Sequence, residues 1–310
     1  MRTIDSVPID HHEVPFWEVS PMPNPDSPVM FSPAEAAAVA ENTLAHKALN
    51  HPIRAFMLSL SGGGYIALGF VFFTTSQVGT SEVLGYGVAR VIGGLVFSVG
   101  LALVVLTGAE LFTSTSMTLV ARASGLITWR RLFFHWGIVY VGNFVGAVTI
   151  LILCWFGGSW HQAGGRWGKV ILDTSLSKLE HPFFEAFFLG IACNLLVCLA
   201  VWVAFAGRTI TDKVLAVTGP IALFVAAGFE HSVANMFMVP FGILIKDLAP
   251  PEYWSELGVS AADYGLLDWG QFFGGNLLPV TLGNIIGGGI MIGAYYWLIF
   301  RLGKKHELTP

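Results

Sequence analysis

The stretch GFEHSVANMF, residues 228–237, carries Glu230 and His231 near the middle of a mostly apolar run, 214–245, just over 30 residues long. A straight helix crosses the hydrocarbon core of a bilayer in about 20 residues. The run is too long for one span and too short for two spans joined by a loop. A charge at that depth must face protein or a wet cavity, and an interrupted helix survives there only where it lines such a cavity. The same pattern recurs at 91–121, where Gly108-Ala109-Glu110 interrupts a second apolar run of similar length. Residues 53–75, 132–157, 183–206 and 277–300 each fit a single span. The expected fold is an all-α integral membrane protein with six transmembrane helices, the second and fifth broken halfway.

Composition points the same way. Of the 310 residues, 54% are hydrophobic and 12% charged, against about 25% charged in soluble domains. So few charges cannot cover the surface of a soluble domain of this length. An ordinary soluble enzyme, a disordered chain and a basic nucleic-acid binder are excluded. The net charge of −4 implies no acidic partner. The 36 glycines follow no collagen-like period and suit closely packed membrane helices. Cys154, Cys193 and Cys198 are odd in number and lie in apolar runs, which argues against a disulfide framework.

The two halves of the chain echo each other. His51-Pro52 opens the first span and His181-Pro182 the fourth; Gly108-Ala109-Glu110 matches Gly228-Phe229-Glu230; Gly142-Asn143-Phe144-Val145-Gly146 in the third span matches Gly283-Asn284-Ile285-Ile286-Gly287 in the sixth. A repeat of three spans has inverted topology, with its pseudo-two-fold axis in the membrane plane and the site at the midplane between the breaks. The GxxxG spacings serve close helix packing and say little about a substrate.

Four segments follow. Residues 1–31 hold six of the fifteen prolines and no apolar h-region, so they read as an extended tail and not a signal peptide. Ser32-Pro33-Ala34-Glu35 reads as a capping box opening an amphipathic helix over 32–50. That helix is either a surface element resting on the membrane domain or a movable gate at a pore mouth. Residues 51–301 form the membrane domain and 302–310 a short tail. With both termini inside, eleven Lys and Arg fall on the inner side (Arg2, Lys47, Arg54, Arg122, Arg130, Arg131, Arg208, Lys213, Arg301, Lys304, Lys305) and five on the outer side (Arg90, Arg166, Lys169, Lys178, Lys246). The bias favours cytoplasmic termini.

His231 is the group near the midplane that can change charge near neutral pH. A buried histidine is by default a satisfied hydrogen-bonder; this one stands beside an acid at a helix break, which favours a functional role. Across the axis lies Leu111-Phe112-Thr113-Ser114-Thr115-Ser116, whose hydroxyls suit an anion, the imidazole or freed backbone groups equally well. Half-helix amino ends near Thr113 and Ser232 would aim partial positive charge at the centre, favouring a small anion. There is no Walker loop, no Rossmann fingerprint, no Cys/His metal or haem cluster and no aquaporin-type Asn-Pro-Ala pair. Neither an enzyme nor a cofactor is expected.

GAELFTSTSM (108–117), CNLLVCLAVW (193–202), GFEHSVANMFMVPFGI (228–243) and GNLLPVTLGNIIGGG (275–289) resemble the formate/nitrite transporter family, and look most like its formate channels. The resemblance runs from about residue 33 to 301. It implies an aquaporin-like fold, a homopentamer with one pore per protomer, and bidirectional passage of formate at a bacterial inner membrane. It further implies that His231 is the central histidine and Thr113 its hydrogen-bonding threonine, with Glu230 and Asn284 supporting the pore. Phe97 and Phe224 fall on the periplasmic constriction, Leu101, Asn194 and Val197 on the cytoplasmic slit, and Lys178 on the outer anion-attracting lysine. Apolar constrictions would strip water from a passing anion, and a proton lent by His231 would remove most of that cost. Proton-coupled uptake at low pH follows. The rivals are passage of nitrite, hydrosulfide or any small monoanion, a neutral-solute or water channel, and a non-transporting membrane scaffold.

Overall fold

A computed structural model describes residues 29–304, 306 and 308, all of them in helices or their connections, with no strand. The Pro-rich tail up to residue 28 lies outside the described residues, as do Arg2 of the charge count and Lys305, Glu307, Thr309 and Pro310 of the C-terminal tail.

Helix α1 (Pro33–Leu49) starts on the capping box read from the sequence: the Ser32 N–H donates to Glu35 Oε2 (2.8 Å) and the Glu35 N–H to Ser32 Oγ (3.4 Å). Its small-residue face, including Ala36, Ala37, Ala40, Leu44 and Ala48, is buried. The first half continues with α2 (Pro52–Gln77), α3 (Tyr86–Thr107), a half-helix α4 built from the consecutive pieces Phe112–Thr115, Ser116–Thr118 and Leu119–Ala123, and α5 (Trp129–Phe156). The second half repeats the order with α6 (Arg166–Leu179), α7 (Phe183–Ala204), α8 (Ile210–Ala226), α9 (Ser232–Leu248) and α10 (Gln271–Phe300). Among the described residues five helices, α2, α3, α5, α7 and α10, are each long and apolar enough to cross a membrane. A sixth candidate by the same measure is α9 taken with the short helix Pro251–Leu257, bent by 109°, while α8 and α9 have 17 residues on each side of the break between them.

The breaks are not placed alike. The second sits centrally, whereas α3 already has 22 residues when its break comes. Hydropathy marks the apolar stretch from 91 onward, but the helix begins at Tyr86, because Tyr86 and Arg90 are compatible with helix while scoring poorly as apolar. Gly108 (φ +73°) and Gly228 (φ +76°) end the two helices in the left-handed region, where a side chain would be strained.

Each break exposes backbone groups that lipid cannot satisfy, and each is repaired by an asparagine from the last span of its own half. Asn143 Oδ1 accepts the Phe112 N–H (2.7 Å), and Asn143 Nδ2 donates to Ser59 O (2.7 Å) and Glu110 O (2.8 Å). Asn284 Oδ1 accepts the Ser232 N–H (2.9 Å), and Asn284 Nδ2 donates to Gly190 O (2.8 Å) and Glu230 O (3.0 Å). The Glu110 N–H donates to Leu58 O (3.1 Å), and the Glu230 N–H to Leu189 O (3.3 Å). The match extends to the peripheral helices: α1 and α6 each carry a lysine, Lys47 or Lys178, five residues before the span that follows.

The asparagines reach the breaks because the GxxxG faces let helices touch. A Cβ on Gly63 would lie 2.0 Å from Asn143 O and one on Gly146 2.0 Å from Leu60 O, which presses α2 onto α5. Gly283 and Gly287 would meet Phe187 O and Ile191 O at 2.2 Å, which presses α10 onto α7. Two π-helical stretches, Gln271–Leu277 and Ile285–Ala294, flank the straight turn of α10 that carries Asn284.

Replacing Asn143 or Asn284 by Ala strands a buried N–H and two carbonyls. Each substitution is expected to cost about 3 kcal/mol, read as a lowered thermal midpoint of the detergent-solubilised protein. An unshifted midpoint for either would mean that water, not the side chain, repairs that break.

Candidate functional site

Arg90, Gly94, Phe97, Leu101 and Val104 follow one another at helical spacing along a single face of α3. The face leads from one cavity to another. The first, about 890 Å³, lies on the α6 side; Arg90 and Lys178 line it, and Phe97, Phe224 and His231 reach it. The second, about 260 Å³, lies on the α1 side and is lined by Lys47, Val104, Gly108, Ser114 and Lys213. Leu101, Thr113, Asn194 and Val197 line neither cavity and are almost wholly buried.

The gap between the cavities is apolar. The Phe97 and Phe224 rings meet edge to face with centroids 5.8 Å apart, and Phe70 packs on Phe97 at 5.0 Å. Phe224 in turn stacks on the His231 imidazole, 5.8 Å away and 20° from parallel. Leu101 and Val197 are each 1% exposed.

His231 does two things at once. It is the N-cap of α9, with Nδ1 accepting the Ala234 N–H (3.1 Å), and its Nε2 lies 3.2 Å from Thr113 Oγ1. An Nδ1 that accepts from a backbone amide carries no proton. The ring is then the neutral tautomer with its proton on Nε2, donating towards Thr113. The break thus puts the imidazole of one half against the hydroxyl of the other. The two half-helices begin at Phe112 and Ser232, and the first-turn amides of both are partly taken by the asparagines.

The carboxylates beside the breaks are buried and partnered. Glu230 Oε1 accepts from Lys178 Nζ (2.8 Å), and Oε2 accepts from Asn235 Nδ2 (2.7 Å) and Asn276 Nδ2 (3.2 Å). Lys178 is itself largely buried, and its charge is paired with Glu230 at the cavity wall. Glu110 Oε2 lies 2.6 Å from His135 Nε2, and Oε1 accepts from Asn50 Nδ2 (3.2 Å). Lys47 Nζ donates to Ala109 O (3.1 Å). Burial draws the Lys47 ammonium below the ordinary lysine range, and Glu110 opposes that shift.

Asn194 is bound up with backbone: its Nδ2 donates to Thr113 O (3.0 Å) and Asn284 O (2.5 Å). Of the residues singled out in the sequence, His231, Thr113, Phe97 and Phe224 come together around the gap, with Leu101 and Val197 buried between the two cavities. Glu230, Asn284, Asn194 and Lys178 form the polar frame behind it. Sequence reasoning missed Asn143, His135, Lys47, Asn235 and Asn276. Repeat offsets carry the signal for several: 131 residues separate Lys47 from Lys178, and 141 separate both His135 from Asn276 and Asn143 from Asn284.

Residues 34–298 match the family model described as formate/nitrite transporter. The chain is similar to the formate channel FocA of Escherichia coli K12, at 46% identity over 275 residues, 89% of this chain and 96% of that protein. It is similar to FocA of Haemophilus influenzae at 49% identity over 269 residues, 87% of this chain and 94% of that protein. A solved structure described as a pentameric formate channel with formate bound is similar at a TM-score of 0.77 and 46% identity, covering 80% of this chain and 97% of that one. An ion channel described as belonging to the same family is similar at a TM-score of 0.66 and 29% identity, covering 86% of this chain and 98% of that one.

Narrow apolar gaps keep water out by dewetting. Replacing both Phe97 and Phe224 by Ala is expected to raise the osmotic water permeability of reconstituted vesicles about tenfold. Permeability unchanged from the parent would mean that Leu101 and Val197 close the gap unaided.

Proposed function

The chain belongs to the formate/nitrite transporter family, and from that premise we propose that it is a formate channel, a homopentamer of the bacterial inner membrane with one pore in each protomer. The relatives at 46% and 49% identity are formate channels, and the similar solved structure is pentameric with formate bound. Both termini are cytoplasmic, which puts the Lys47 cavity inside and the Lys178 cavity outside; the basic residues favour the inner side eleven to five.

The observation that carries the reading is a paired donor in an otherwise apolar gap: His231 Nε2 beside Thr113 Oγ1, under the Phe97 and Phe224 rings. An anion entering the gap loses its water, at a cost of several kcal/mol. A carboxylate oxygen takes the Nε2 proton's hydrogen bond and the Thr113 hydroxyl, which offsets part of that cost at the narrowest point. Glu230 does not repel the anion at full strength, because Lys178 cancels its charge. The site is short and dry, which suits a monoanion of a few atoms.

When the outside is acidic, a proton taken up at Nδ1 displaces the Ala234 N–H as the ring passes its Nε2 proton to the bound formate, so the ring stays neutral and gives up its place as the N-cap of α9. Formate then crosses as neutral formic acid, and most of the desolvation cost disappears.

Flux of formate, nitrite and hydrosulfide into proteoliposomes at external pH of about 7.5 and 5.5, a hundredfold change in proton concentration, tests the reading. Formate is expected to pass best and to speed up at the lower pH. His231→Phe removes a hydrogen bond to a charged group, worth about 1.5–3 kcal/mol, and should slow formate about ten- to hundredfold. His231→Asn, which keeps a donor that does not titrate, should retain flux and lose the pH response. Equal passage of all three anions in parent and His231→Phe would mean a broad anion pore whose histidine is structural. Flux of water alone would mean a neutral-solute channel.

A further inference from the structure

The α6-side cavity is ringed by charge, yet nearly all of its positive charge is neutralised in pairs. Lys178 is held by Glu230 (2.8 Å), and the His181 ring lies 2.7 Å from the Glu185 carboxylate. Around the rim, Lys169 pairs with Asp173 (2.7 Å) and Arg166 with Glu82 (2.7 Å), while Glu180 is exposed to solvent. Arg90 differs. Its Nη2 donates to Val225 O (2.5 Å), its guanidinium lies over the Phe73 ring 5.6 Å from the centroid, and its Nε is buried with no partner. No carboxylate among the described residues pairs with it.

Its position is set by the backbone. A Cβ on Gly94 would lie 2.4 Å from Ala222 O, so α3 and α8 touch one turn beyond Arg90. That contact seats the guanidinium on the last carbonyls of α8, where a cation is favoured by the helix dipole. A Cβ on Gly228 would stand 3.8 Å from Arg90 Nη2, so the side chain lies at the break itself. Phe97 follows seven residues later on the same face, about 10 Å along the helix axis. A guanidinium has five donors in a fork that fits a carboxylate, and the protein uses one of them here.

We propose that Arg90 is the first anion-binding station of the pathway, taking a small carboxylate or similar monoanion from the cavity immediately before the Phe97–Phe224 gap. The proposal rests on the reading of the chain as a formate channel. It assigns anion recruitment to the cavity cation that, among the described residues, has no carboxylate in direct contact, and leaves Lys178 the task of neutralising Glu230. A lone charge at the mouth of a low-dielectric passage raises the local concentration of anions, and its effect weakens as salt screens it.

Formate influx into proteoliposomes, measured against formate concentration and ionic strength, tests the assignment with Arg90→Gln, Arg90→Lys and, as a control on the rim, Arg166→Gln. Arg90→Gln is expected to raise the half-saturating formate concentration about fivefold while the limiting rate stays within a factor of about two. The parent's half-saturation should rise with added salt and that of Arg90→Gln should not; Arg90→Lys should keep the salt response, and Arg166→Gln should match the parent. Half-saturation and salt response unchanged in Arg90→Gln would overturn the proposal and leave Arg90 as a cap on α8. A second measurement needs no variant: phenylglyoxal labelling of the parent, mapped by peptide mass, should be slowed by formate at Arg90 and not at Arg166. Equal labelling of Arg90 with and without formate would overturn the proposal as well. If the parent passes nitrite or hydrosulfide in place of formate, the substrate reading fails and Arg90 is judged on that anion by the same criteria. A parent that passes no small anion overturns both.

Discussion

A polypeptide interrupted inside hydrocarbon has to have its freed amides and carbonyls satisfied by its neighbours, and everything else in this fold is arranged around that need. Asn143 and Asn284 meet it with the same three bonds in each half. They can do so only because glycines bring α5 against α2 and α10 against α7 closely enough for backbone to meet backbone. The glycine content that first looked like general membrane packing therefore has a specific purpose: it brings the asparagine within reach of the break. The break, in turn, is what gives His231 and Thr113 their positions: His231 caps α9 and Thr113 stands in the first turn of α4.

The frame behind the gap is close to electrically neutral. Glu230 is balanced by Lys178, and Glu110 is held by His135 and Asn50 with Lys47 close by. Buried ionic groups are expensive unless paired, so the pairing is first a condition for folding. It also means that an anion inside the gap meets dipoles and donors rather than a fixed charge. A deep positive charge would trap an anion; donors of moderate strength allow it to leave.

Much of this was legible in the sequence, and for identifiable reasons. The broken spans could be read because two acids interrupt apolar runs of unusual length, and the inverted repeat because His-Pro, Gly-x-Glu and GNxxG recur in order. That Phe97, Leu101, Phe224 and Val197 lie at or between the two cavities was not legible from the residues themselves, because an aromatic or aliphatic side chain in a membrane helix carries no mark of what it faces. Asn143 was quoted as half of a repeat motif, yet its bonds could not be foreseen, since the repair of a break depends on helices that meet only in three dimensions. Lys178 was expected at the outer mouth as an attracting charge; whether an acid lay within reach of it depended on how α6 docks against α9. His135 escaped notice because its counterpart in the other half is Asn276, so the repeat in that place preserves a hydrogen-bonding position and not a residue type.

Asn194 has a consequence for motion. One amide group on α7 holds Thr113 O in the first repeat and Asn284 O in the second. Transporters built from inverted repeats commonly work by rocking one repeat against the other around a fixed site. Here such rocking would have to pull apart the bond to Thr113 O, in a buried place where water cannot replace it, while the bond to Asn284 O holds the amide in the second repeat. The two repeats are tied at their centre, and gating by side-chain rotation in the gap or by segments at its ends would leave that tie in place. In mechanical terms, such a tie favours a fixed sieve over an alternating carrier.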